Sequence, residues 1–129
     1  MDVVYTFAGD AADPAQNTAH KMNRGRGAGH GELAASLTLL LRFCRAQVRR
    51  VYIVHGGTML SAATYTELET VAKLGGLAPE QLVVVPQDDI LPPDAPRWCR
   101  NSCVIEAHLW RLPRLSEAFL YLNDDMFFG

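Results

Sequence analysis

In Phe119-Leu-Tyr-Leu-Asn-Asp-Asp-Met-Phe-Phe-Gly129 an apolar, strand-like run ends abruptly in Asn123-Asp124-Asp125, and then aromatics resume. Charges at the end of a buried strand are costly unless they find a partner, and a divalent cation is a common strong one. Oxygen ligands in that position suit Mg2+ or Mn2+, which share their coordination with phosphate oxygens. In an open α/β sheet, ligands bind beyond the carboxyl ends of the strands. The competing reading of Asp124 and Asp125 is a solvated turn or the N-cap pair of a helix.

Working outward from that run, the chain alternates strand and helix. Val3-Val4-Tyr5-Thr6-Phe7 is β-rich and reads as the first strand. A long, Gly-rich loop over residues 9–31 follows; loops of that length are functional or disordered. A helix should begin near Glu32, with Leu33, Leu37, Leu40 and Leu41 on its apolar face. Val51 to Val54 is the second strand, turned by His55-Gly56-Gly57. A second helix spans about residues 59–74 and ends at Gly75-Gly76. Leu82 to Val85 is the third strand, closed by Pro86, and a loop containing Pro92, Pro93 and Pro96 runs on to Arg97. Asn101 to Leu112 reads as a third helix, capped by Asn101 or Ser102 and ended by Pro113. Ile105, His108, Leu109 and Leu112 share one of its faces, and Glu106 lies on another. Ala118 to Leu122 is the fourth strand. This alternation predicts one α/β domain with a mainly parallel sheet and flanking helices.

Bulk composition narrows the function. At 129 residues the chain predicts a single domain, large enough to bury roughly 68% of its unfolded surface. With 49% apolar and 20% charged residues it is globular. A net charge of −2 argues against a nucleic-acid or membrane-surface binder. No stretch reaches the ~18 consecutive apolar residues of a membrane-spanning helix. The sequence runs from Met1-Asp2 straight into a strand, which leaves no room for a signal peptide. Three widely spaced cysteines make no disulfide framework.

Other motifs are weaker. Arg24-Gly-Arg-Gly-Ala-Gly-His-Gly31 sits between a strand and a helix, where phosphates often bind. It fits neither the G-x-G-x-x-G frame nor the P-loop, so a plain flexible loop is the better reading. Cys99, Cys103 and His108 match no usual zinc spacing. Asp88-Asp89 reads as a solvated turn. His108 by itself reads as a core histidine, and Glu106 as a solvated acid.

Together the segments resemble a known family. Asp2-Val-Val-Tyr-Thr-Phe-Ala-Gly-Asp-Ala-Ala-Asp13-Pro14 resembles the first conserved region of the Stealth proteins. Gly31-Glu32-Leu33, Ser36-Leu37 and Val51 to Val54 resemble the start of the second region. Asn101-Ser102, Ile105-Glu106-Ala107-His108-Leu109 and Arg111-Leu112 resemble its middle; Leu115-Ser116-Glu117 and Phe119 to Gly129 resemble its end. Stealth proteins include bacterial capsule-polymer transferases and the eukaryotic enzyme that puts N-acetylglucosamine-1-phosphate on lysosomal glycoproteins. The resemblance implies a glycosyltransferase-A-like, Rossmann-like fold. It also implies transfer of a sugar-1-phosphate from a nucleotide-sugar donor of the UDP-N-acetylglucosamine kind to a hydroxyl of a glycan or glycoprotein acceptor.

It further implies a Mg2+ or Mn2+ ion at Asp124 and Asp125, a pocket shaped by Asn101, Glu106 and His108, and Asp2 and Asp13 near the nucleotide. Glu32 and Asn123 join the donor-binding set; Asp124, Asp125, His108 and Glu106 form the catalytic set. There are departures. Phe7 stands where the family has Trp, Thr38 where it commonly has Arg, and Trp110 where it has a second His. Arg97-Trp-Cys-Arg100 replaces a Leu-Pro-Thr-Phe segment. The third and fourth conserved regions do not occur, so the expectation is the N-terminal part of a longer catalytic domain. A non-catalytic nucleotide-sugar-binding module is the alternative, and a transferase that moves the sugar without its phosphate is a third reading.

Overall fold

The computed structural model describes residues 1–8, 31–56, 60–94 and 102–127. The Gly-rich loop up to residue 30, with Asp13, and also Cys99 and Asn101 lie outside the described residues. Strands β1 (Asp2–Phe7), β2 (Arg50–His55), β3 (Leu82–Pro86) and β4 (Phe119–Asn123) form one sheet in the order β3-β2-β1-β4. Every pairing is parallel. Helices α1 (Glu32–Cys44) and α2 (Ala62–Leu74) cover one face, and α3 (Ser102–Ala107) covers the other.

The sheet is buried on both faces, which is why its strands read as continuous apolar runs and not as alternating ones. Side chains still alternate by residue. Val3, Tyr5 and Phe7 join Val51, Ile53 and Leu122 under α1 and α2, packed on Leu33, Leu37, Leu40 and Leu68. Val4, Tyr52, Val54 and Val85 face Ile105, Leu109 and Leu112, with Phe119 and Tyr121 against them. Each fully buried Val, Leu or Ile contributes about 1.5–3 kcal/mol, so these two layers supply most of the driving force.

Helix α1 starts at Glu32, as its leucine spacing predicts. Helix α2 starts a little later than expected, after Ser61, whose hydroxyl accepts from the Thr64 amide at 3.2 Å. It stops at Gly76, which takes a left-handed φ of 85° while the Leu77 amide reaches back to the Ala72 carbonyl.

The third helix is shorter than the sequence suggested. It ends at Ala107, and Leu109–Arg111 follow as a 3-10 turn. Two causes act together. Pro113 cannot continue an α-helix and crowds the carbonyl four residues earlier. The His108 ring donates from Nδ1 to the Val104 carbonyl at 2.7 Å, the acceptor its own amide would use in a continued helix; that amide goes to Ile105 instead. Among the described residues no helix is long and apolar enough to cross a membrane.

Candidate active site at the carboxyl edge of the sheet

The chain winds β1, β2, β3 outward in one direction and then returns to place β4 on the other side of β1. The strand order therefore reverses between β1 and β4. In doubly wound sheets that switch point leaves a crevice outside the carboxyl ends, where ligands bind. Thr6 and Asn123 are register partners at that spot.

A polar cluster occupies it. The Tyr121 hydroxyl donates to Asn123 Oδ1 at 2.8 Å, and the Thr6 hydroxyl approaches the same oxygen at 3.2 Å. Thr6 and Tyr121 hydroxyls also share a hydrogen bond of 2.9 Å. The Glu106 carboxylate, on α3, lies beside the Tyr121 hydroxyl. Burial raises the Tyr121 phenol above its ordinary value; the Thr6 bond opposes this, and the Glu106 and Asp124 carboxylates add to it.

Asp124 and Asp125 are the central pair of a turn closed by the Met126 amide on the Asn123 carbonyl at 3.1 Å. The turn is latched to α1. Ser36, buried on the helix's apolar face, donates to the Met126 carbonyl and is bonded in turn by Tyr5 at 2.9 Å. Burial, opposed by the Ser36 bond, pushes the Tyr5 phenol up to about 12. The position of the two carboxylates is thus set by β4 on one side and by α1 on the other. Asp124 is half-buried and Asp125 exposed.

Among the described residues no three or more His, Cys, Asp and Glu side chains converge into a cage. Zinc at Cys103 and His108 gains no support from that. The all-oxygen pair Asp124–Asp125 does fit a hard ion that keeps several waters and takes its remaining ligands from phosphate, as Mg2+ does.

Other expected site residues are distributed unevenly. Glu32 is exposed in the first turn of α1, at the same edge of the sheet, after Gly31 with a φ of 77°. His108 bonds its own helix through Nδ1 and is tied to no member of the polar cluster among the described residues. Asp2 is not near this edge. It starts β1, about 13 Å along the strand from Thr6. Its buried carboxylate accepts from Arg49 Nε at 2.8 Å, Arg49 Nη2 at 2.7 Å and the Ser116 amide at 2.9 Å. Those bonds, Arg49 foremost, hold it well below the usual carboxylate range, at about 2. Asp2, expected beside a nucleotide, thus lies at the opposite edge from the polar cluster, where its oxygens anchor the start of the sheet.

Thr6, Ser36 and Tyr121 were absent from the sequence-based site. Ser36 carried a signal, a lone hydroxyl within an otherwise leucine face. Thr6 and Tyr121 carried none until the β1–β4 register was known. His55 also lies here, buried at the end of β2, with Nδ1 donating to the Gly56 carbonyl at 3.0 Å. Gly56 itself passes so close to β1 that a Cβ would stand 2.4 Å from the Ala8 carbonyl oxygen.

No family model matches the chain. Individual relatives do. A capsular polysaccharide phosphotransferase of Aeromonas hydrophila is 30% identical over 141 aligned residues, covering 98% of this chain and 35% of the relative. An exopolysaccharide phosphotransferase of Streptomyces coelicolor is 34% identical over 139 residues, covering 100% of this chain and 21% of the relative. A shorter match, 67% identical over 27 residues, is to a capsular polysaccharide phosphotransferase of Neisseria meningitidis. The chain thus spans about a third of the Aeromonas relative and about a fifth of the Streptomyces one.

Proposed function

This chain is homologous, over nearly its whole length, to part of the capsular and exopolysaccharide phosphotransferases, and from that footing we propose that it is the donor-binding part of a sugar-1-phosphate transferase. The observation that carries the reading is the polar cluster at the β1–β4 switch point, closed by the Asp124–Asp125 turn. The donor is a nucleotide-sugar of the UDP-N-acetylglucosamine kind, and the acceptor is a hydroxyl of a glycan or glycoprotein.

The chemistry is attack at phosphorus. The acceptor oxygen bonds to the phosphorus that carries the sugar. The bond from that phosphorus to the bridging oxygen breaks, and nucleoside monophosphate leaves with the electron pair. The hydroxyl proton passes to a base. Such a reaction needs positioning and neutralisation of the diphosphate more than covalent help from the protein. Asp124 and Asp125 would hold a Mg2+ or Mn2+ ion, which supplies charge neutralisation at the leaving nucleotide. Glu106 and Asn123 border the donor, and Glu32 stands at the same edge. His108 is the base: its Nδ1 proton is committed to Val104, so the lone pair of the neutral ring is on Nε2.

Calorimetry with UDP-N-acetylglucosamine and Mg2+ tests this. The expected result is Mg2+-dependent binding that the paired change Asp124→Ala, Asp125→Ala abolishes. Binding that survives both substitutions, or no binding at all, would sink the reading. A second reading is a nucleotide-sugar-binding module without turnover. Product analysis separates the two: sugar-phosphate linked to acceptor supports transfer, and binding with intact donor supports the module.

A further inference from the structure

The Asp124–Asp125 turn is held at both ends, and the two ends are unlike. At Asn123 it continues β4, paired there with Thr6 of β1. At Met126 it is held by hydrogen bonds. The Met126 amide donates to the Asn123 carbonyl at 3.1 Å, and the Asn123 amide donates to Met126 Sδ at 3.4 Å. The Met126 carbonyl accepts from Ser36 Oγ on α1. A carbonyl has no proton to give, so the Ser36 proton lies in that bond and the Tyr5 hydroxyl donates to Ser36 at 2.9 Å. Each hydroxyl gives its one proton once, in a single direction from Tyr5 to Ser36 to Met126. Ser36 and Tyr5 are both 0% exposed, whereas Met126 is 46% exposed. The relay therefore runs from an interior strand of the sheet, through the core, to an exposed turn.

A buried hydroxyl on a leucine face is costly unless it is bonded. The turn's own backbone bond would close it without Ser36. What the hydroxyl adds is a fixed attitude of the turn against the sheet. That matters unequally to different ions. Mg2+ demands near-ideal octahedral geometry, at about 2.0–2.1 Å, whereas Ca2+ accepts looser arrangements at about 2.3–2.6 Å. Carboxylates free to swing serve Ca2+ as readily as Mg2+; carboxylates fixed from two sides can favour the smaller ion. We infer that Ser36, itself aligned by Tyr5, is the positioning residue that makes the Asp124–Asp125 corner select Mg2+ over Ca2+. Ser36 acts through the Met126 carbonyl and touches neither ion nor donor. This rests on the metal reading above and goes beyond it by naming what sets the choice of ion.

The test titrates Mg2+ and, separately, Ca2+ into the whole chain with saturating UDP-N-acetylglucosamine, by calorimetry, and takes the ratio of the two affinities. The nucleotide's own hold on each ion is common to all variants, and a smaller folded fraction lowers both affinities alike. Neither moves the ratio from one variant to the next. The unsubstituted chain should prefer Mg2+. Ser36→Ala should cut that preference about three- to tenfold, the size of one lost hydrogen bond, with the loss falling on Mg2+. Leu40→Val, on the same helix and at a side chain equally buried but not bonded to the turn, should lower stability and leave the ratio alone. Tyr5→Phe keeps the bond from Ser36 to Met126 but removes what aligns it, and should cut the preference about twofold. It carries the test if Ser36→Ala does not fold. A preference unchanged in Ser36→Ala, or in Tyr5→Phe in its place, overturns the inference. So does a fall of equal size in Leu40→Val. Equal affinity of the unsubstituted chain for the two ions overturns it as well and leaves the metal reading intact. Uptake of neither ion beyond what the nucleotide alone takes up overturns both.

Discussion

The two edges of the sheet use the same kinds of residue to opposite ends. At the amino edge, Asp2 is engaged on both oxygens, by one guanidinium in two-point contact and one backbone amide. Arg49 and Arg50 also donate to the Arg114 carbonyl, and Tyr52 donates to the Pro113 carbonyl. Each bond joins a strand start to the segment before β4, so the edge is a clasp. At the carboxyl edge, acceptors outnumber donors. The Glu106 and Asp124 carboxylates and the Asn123 amide gather around the Thr6 and Tyr121 hydroxyls, and among the described residues no basic side chain bonds Thr6, Tyr121 or Asn123. A folded protein keeps such an arrangement at a cost, and sites that bind cations or polar ligands are where that cost is tolerated.

Removing the clasp should have the largest effect on stability. Asp2→Ala leaves the Ser116 amide and the Arg49 guanidinium without their shared acceptor. It is expected to cost about 3 kcal/mol, read as a fall in the chemical-denaturation midpoint. Metal-dependent ligand binding by the fraction that remains folded should be unchanged. A comparable loss of affinity would break the division between the edges. Acid should reproduce part of this in the native sequence. The Asp2 carboxyl is lowered from 3.8 to about 2 on folding. A depressed carboxyl stabilises the fold above its unfolded value and loses that contribution as pH falls through its folded value. Stability should therefore drop between about pH 4 and pH 2, by about 2 kcal/mol once the half-exposed Arg49 partner is allowed for. The Asp2→Ala variant should lack that component of the pH dependence.

How far each edge was legible in the sequence follows from the same contrast. The four strands could be read to within about a residue, because strands buried on both faces are nearly all Val, Ile, Leu and Tyr. The Asp124–Asp125 corner was legible because two charges directly after such a run stand out. The clasp was not. Asp2 and Arg49 are 47 positions apart, and only the parallel register that sets Asp2 beside Arg50 brings them together. Thr6 and Tyr121 read as ordinary β-formers for the same reason: their meeting depends on β4 returning to the far side of β1. The truncated third helix was hidden in a ring-to-carbonyl bond. Pro113 signals an end, but not that His108 would capture the Val104 carbonyl four residues before its own position.

Between the extremes stand the hydroxyls under Asn123. Thr6→Val keeps the shape of the side chain and removes one hydrogen-bonding group. The expected cost in stability is about 1 kcal/mol. Tyr121→Phe, which removes the hydroxyl that donates to Asn123, should cost a similar amount. Either change that left stability untouched, measured by thermal denaturation, would place these hydroxyls with the ligand alone and not with the fold.

The smallest expected effect on stability is the most informative about the carboxyl edge. Asp124→Asn with Asp125→Asn keeps side-chain size and the turn while removing two negative charges beside Glu106. Like charges in one corner repel, so the doubly substituted chain should be as stable as the original, or about 0.5 kcal/mol more so. Mg2+ reverses the order. A ligand that binds only the folded state raises stability in proportion to the logarithm of its concentration over its dissociation constant. Millimolar Mg2+ with UDP-N-acetylglucosamine should therefore raise the melting temperature of the original chain and leave the variant where it was. If the variant proved less stable without metal, Asp124 and Asp125 would belong with Asp2, as part of what holds the sheet together. Neutral or improved stability, joined to loss of the metal response, marks two carboxylates kept for a ligand at the expense of the fold.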